Sequence, residues 1–219
     1  MTNSMSQDIY KGDIIDNLPL ADKQALFRTR YKSSFWGDGL RPQEDGSIHA
    51  FAVYRFSIEP TDPEEIESLH GFITDAAAVG YEPLLNPVIL PEGPSGTPIH
   101  HYSSVFFFFQ GAPATNLLTS DGKTESLPAL QEAFRSNHGG SYNRNGRTSS
   151  GGRYDHYHVH VEQTDEGIQH FANFMIGALS TGYGKAMDAI TLPAIPMQKF
   201  GRKTTEIPVN QVMLYLEAA

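Results

Sequence analysis

The 219 residues contain no cysteine, which removes disulfides, thiolate catalysis and zinc-thiolate sites at once. No apolar run approaches the roughly 18 to 20 residues needed to cross a bilayer, and the polar start Met1 to Asp8 lacks both the charged and the hydrophobic parts of a signal peptide. A chain that is neither secreted nor membrane-embedded is expected, placed in the cytoplasm or in a virion. Basic residues are scarce, 16 against 25 acidic ones, for a net charge of −9. That balance opposes attraction to phosphate backbones, so protein partners are expected and a nucleic-acid partner is not. Tryptophan occurs once, and Trp36 beside Phe35 reads as an anchor packed on the domain.

Residues 1 to 17 are polar and without period, an arm leading into a short helix over Leu18 to Tyr31. His49 to Glu59 alternates as a strand. Asp62 is then placed to cap a helix, with Pro63 at its first position and Glu65 three residues after the cap; Gly80 ends it. Strands are expected through Val88 to Leu90 and over His100 to Phe109, where four successive phenylalanines require cover on both faces. A helix over Ser126 to Asn137 follows, then a Gly- and Ser-rich stretch, 138 to 153, carrying Arg144, Arg147 and Arg153, which reads as a loop. The remainder reads as a strand from Tyr154, a helix over Asp165 to Ser180, a strand near Ile190 and a last strand over Val209 to Glu217.

Glu59, Thr61, Asp62, Ile66, Phe72, Ala76, Gly80, Tyr81, Leu90 and Pro91 match Glu162, Thr164, Asp165, Ile168, Phe174, Ala178, Gly182, Tyr183, Leu192 and Pro193, at an offset of 103 that falls to 102. The fold class implied is α+β: a duplicated β-α-β-β unit forming a mainly antiparallel sheet or barrel with helices on one face. The corresponding segments are an arm with a short helix (1–48), a first unit with a connecting helix (49–137), the loop (138–153) and a second unit (154–219).

The most distinctive stretch is Tyr-Asp-His-Tyr-His-Val-His-Val-Glu-Gln, 154 to 163. Strand alternation puts His156, His158 and His160 on one face and Tyr157, Val159 and Val161 on the other. Two imidazoles at i and i+2 can share a divalent metal, zinc or iron, with a third ligand from Glu162, Glu217, His100, His101 or His138. The bland alternative is a solvated or interface strand. His156, His158, His160, Glu162 and Glu217 are the candidate metal residues.

His-Tyr-His and His-Val-His resemble the paired-histidine motif of replication initiators and relaxases, whose metal positions a DNA phosphate for attack by a tyrosine. That resemblance implies Tyr183 or Tyr31 as nucleophile. The duplicated layout is also similar to the vicinal-oxygen-chelate enzymes, which would pair His156 or His158 with Glu217, and His49 with Gln110. Gly152 with His158 and His160 resembles a cupin, although the helix after Gln163 conflicts with an all-β barrel. The reading chosen is a non-catalytic subunit of a larger assembly, such as a virion or phage component. A metal-dependent enzyme built on His158 and His160 is the alternative.

Overall fold

The computed structural model describes residues 17–91, 103–114, 125–196 and 208–219. The N-terminal arm up to residue 16, His100 and His101 lie outside them. Within the described residues the protein is α+β, with four helices and two separate antiparallel sheets, neither closed into a barrel. The first half runs α1 (Leu20–Arg30), β1 (Phe35–Pro42), β2 (Ile48–Ile58), α2 (Pro63–Ala78), β3 (Glu82–Pro91) and β4 (Ser103–Pro113), with sheet order β1-β2-β4-β3. The second runs α3 (Leu127–Asn137), β5 (Tyr142–Arg147), β6 (Arg153–Glu162), α4 (Asp165–Ser180), β7 (Gly184–Lys185), β8 (Ile190–Pro196) and β9 (Pro208–Ala218). Its order is β5-β6-β9-β7, with β8 also on β9.

The helix starts follow from local chemistry. Asp62 Oδ1 accepts from the backbone N–H of Glu64 at 2.8 Å, and Thr164 Oγ1 accepts from that of Gly167 at 3.0 Å, so each side chain satisfies a donor that the helix leaves open. Glu65 does not return to the cap; its carboxylate takes the backbone N–H of Glu59 instead. The caps are Asp62 and Thr164, so the one-residue difference between the halves falls in the loop before the helix. Gly80 and Gly182 close α2 and α4 at φ +74° and +86°. A Cβ there would stand 2.6 Å from Leu20 Cδ1 and 2.5 Å from Leu127 Cδ2 respectively, so close approach as well as backbone conformation requires glycine.

Two strands escape the sequence. Tyr142–Arg147, inside the stretch read as a loop, is β5, and Phe35–Pro42 is β1. Each forms a hairpin with the strand that follows. The helix read as a connector, α3, stands to the second half as α1 stands to the first.

The correspondence extends to register. Phe35 pairs with Tyr54, a bulge follows, and Gly37 pairs with Val53; Tyr142 pairs with Tyr157, a bulge follows, and Arg144 pairs with His156. Val53 opposes Phe108 and Arg55 opposes Phe106, as His156 opposes Tyr215 and His158 opposes Met213. Phe27 of α1 touches the rings of Tyr54, Phe72 and Tyr81, and Phe134 of α3 touches those of Tyr157, Phe174 and Tyr183. Gln24 Oε1 accepts from the N–H of Ala112, and Gln131 Oε1 from that of Ala219.

The layers run helices, sheet, helices, sheet. Helices α1 and α2 cover one face of the first sheet through Phe27 and Phe72 against Tyr54, Phe107 and Phe109. Its other face, with Phe51, Val53, Phe106 and Phe108, shares one core with α4 and with Tyr157, Val159, Val212 and Leu214 of the second sheet. Helix α4 therefore lies between the sheets. It approaches β1 so closely that a Cβ on Gly37 would be 2.6 Å from Ile176 Cδ1. The phenylalanine run of β4 is covered on both faces as its sequence requires, but by helices from different halves. The expected antiparallel sheet, rather than a barrel, is thus present as two sheets, the first with helices on both faces.

Candidate functional site

The outer face of the second sheet carries Tyr154, His156, His158 and His160 from β6, Gln211, Met213 and Tyr215 from β9, Ile190 and Leu192 from β8, and Arg144 from β5. No helix covers this face among the described residues. Ile190 is 47% and Leu192 40% exposed.

The three imidazoles have different surroundings. His156 is 5% exposed and stacked on Tyr215, with centroids 4.6 Å apart and planes 6° from parallel. Neither of its ring nitrogens has a hydrogen-bond partner. Burial, then the positive Arg144 and the neighbouring His158, pushes its pKa below the ordinary value, so it is neutral at pH 7. His158 is half-buried and His160 exposed, and their rings meet edge to face at 4.8 Å.

Of the carboxylates expected to join them, Glu162 follows His160 by two residues at the end of the row, and Glu217 stands at its other end. Glu162 is the last residue of β6, whereas Glu217 pairs with Tyr154 at the strand's opposite end, about 27 Å away at strand rise. Glu217 instead turns toward Arg41 in a cleft of about 360 Å³ at the junction of the halves, lined also by Gln43, Asp45, His49 and Gln131. Arg41 donates to the carbonyls of Tyr183 (2.8 Å) and Gly182 (3.1 Å), tying β1 to the end of α4. His138 packs on Phe134 and Phe174, on the helix side of the sheet. Among the described residues no three His, Asp or Glu side chains gather to hold a metal. Of the candidate set, the rings of His158 and His160 are in direct contact.

Tyr183 cannot act on this face. It is fully buried on the helix side of the sheet, its hydroxyl donating to Asp155 and lying 3.1 Å from that of Tyr157. Burial, followed by the bond to Asp155, raises its pKa far above the ordinary tyrosine range, which keeps the hydroxyl protonated. Tyr31 is in the other half, donating to Asp75 at 2.6 Å. The pairing implied for His49 and Gln110 is absent too, since Gln110 opposes Phe51 and His49 opposes Pro113.

Sequence reasoning missed the buried polar knot at Asp155. Arg135 donates to its carboxylate at 2.8 Å alongside the Tyr183 hydroxyl, joining α3, β6 and the turn that follows α4. The signal was present: Asp155 shares the face of Tyr157, Val159 and Val161, so alternation alone made it a buried carboxylate in need of partners.

Comparison with protein-family models, with curated proteins and with solved structures returns no match.

Proposed function

We propose that the chain consists of two copies of one α-β-β-α-β-β unit and serves as a non-catalytic subunit of a larger assembly, of the kind that builds a virion or phage particle. The observation that carries this reading is the uncovered sheet face: a row of imidazoles, tyrosines, Met213, Ile190 and Leu192 without a layer above it among the described residues. Contiguous apolar and aromatic surface on an otherwise well-packed protein marks a contact surface. The buried charged groups support the same reading. Arg135 and Asp155 are consumed in joining elements rather than directed into a cleft.

A second reading, a zinc- or iron-dependent enzyme, draws on one observation, the adjacency of His158 and His160 with the unpartnered Nε2 of His158. Metal analysis of purified protein alongside His158→Ala and His160→Ala separates the two. The subunit reading expects no stoichiometric metal in any of them. One equivalent in the wild type, lost in both variants, overturns it.

A further inference from the structure

The molecule already contains one example of how such a face is covered. In the first sheet the corresponding face has Val53, Arg55 and Ser57 on β2 opposite Phe108, Phe106 and Ser104 on β4, and its Val53, Phe106 and Phe108 share one core with α4 of the second half. Rows on the second sheet match these pair for pair: His156 opposite Tyr215, His158 opposite Met213, His160 opposite Gln211. On the outer strand Val88 and Leu90 are answered by Ile190 and Leu192. On the hairpin side, Gly39 lies under the ring of Phe51, and Gly146 lies under that of Tyr154.

The helix corresponding to α4 is α2, also of 16 residues, which packs Phe72 and Ala76 onto its own sheet. Its far side is not covered by any described element. Ile66 is 47% and Ile73 43% exposed, and Ala77, one turn beyond Ile73, is small enough to allow close approach, with His70 exposed between the two isoleucines. Each molecule thus has an unroofed sheet at one end of its layer stack and an unseated helix at the other. Charge agrees with the match. Glu64 and Glu67 lie in the first turns of α2, whereas the sheet face carries Arg144.

We infer that the outer face of the second sheet binds α2 of a second copy of this chain, repeating head to tail the joint that α4 makes with the first sheet. This rests on the reading of the chain as an assembly subunit and names its partner. The contact is heterologous, so it leaves both complementary faces free at the ends and propagates into a ring or a filament. Arg144 stands where the first sheet has Gly37, so the docked helix sits farther from β5 than α4 does from β1, with the guanidinium filling the gap.

The test uses two double variants at exposed positions, Ile66→Glu with Ile73→Glu on the helix and His160→Glu with Leu192→Glu on the sheet, with circular dichroism as the check on folding. Should either double fail to fold, the singles Ile66→Glu and His160→Glu replace them. By light scattering and sedimentation, wild type is expected to exceed two chains as concentration rises, and each variant alone to remain a single chain. An equimolar mixture is expected to form a two-chain species and nothing larger, because one intact helix face meets one intact sheet face. A helix variant that assembles like wild type indicates a sheet-to-sheet pair and overturns the inference while leaving the subunit reading standing. So does a sheet variant that assembles like wild type, or a mixture that stays monomeric. Wild type that stays a single chain also overturns it, and the subunit reading is then decided separately by the metal measurement.

Discussion

Neutral, stacked and without partners, His156 gives the fold a dependence on acid. Its pKa in the folded protein is lowered by burial from the ordinary 6.5, with Arg144 on β5 and His158 on its own strand adding to the effect. Well above pH 6.5 neither the folded nor the unfolded chain holds the proton, and the residue contributes nothing. Below it the unfolded chain takes up the proton first, so stability falls with pH until the folded pKa is passed. His138, lowered by burial and by His170, acts in the same direction. Replacing His156 with Phe keeps a ring against Tyr215 and removes one of the two titrations. The urea midpoint of the variant is expected to fall less between pH 8 and pH 5 than that of wild type; equal falls would sink the assignment. Of the candidate residues, the sequence located the imidazoles correctly because strand alternation is a local property. The distance between Glu162 and Glu217 was not legible, because it depends on the register between β6 and β9, which no local pattern encodes.

Helices were legible nearly to the residue. α2 and α4 begin and end at caps and glycines whose chemistry is written in four or five adjacent positions. β1 and β5 were not legible, because each is a short edge strand broken by Gly, Asp or Asn and Arg, with no clean alternation, and is fixed by the neighbour it pairs with and, for β1, by α4. The resemblance of α1 to α3 was equally hidden, since the matching residues Leu20 and Leu127, Gln24 and Gln131, Phe27 and Phe134, Arg28 and Arg135 are scattered at helical spacing. At this scale the caps give a direct test. Asp62→Ala and Thr164→Ala are each expected to lower stability by about 1 kcal/mol. Asp62 accepts two backbone bonds and Thr164 one, so the Asp62 variant is expected to lose more. Chemical denaturation showing no loss in either would mean that the helix starts are held by tertiary packing alone.

The two halves are unequal in what they can do alone. The second sheet has its apolar face covered by its own helices, whereas the first needs α4 over Phe51, Val53, Phe106 and Phe108. A fragment ending at residue 124 is therefore expected to aggregate or to bind a hydrophobic dye such as ANS, and co-expression with residues 125–219 to restore a soluble complex. A fragment that is monomeric and dye-negative would show that the first half closes its own core. Among the described residues no helix is long and apolar enough to cross a membrane. The division of cover also sets where this lineage can change. A sheet walled on both sides tolerates little beyond substitutions of matching volume, so its sequence is bound to drift slowly. Novelty, whether a new epitope, a new specificity or an acquired reaction, has room to accumulate on the other sheet, where three histidines stand at the register positions that Val53, Arg55 and Ser57 hold on the first.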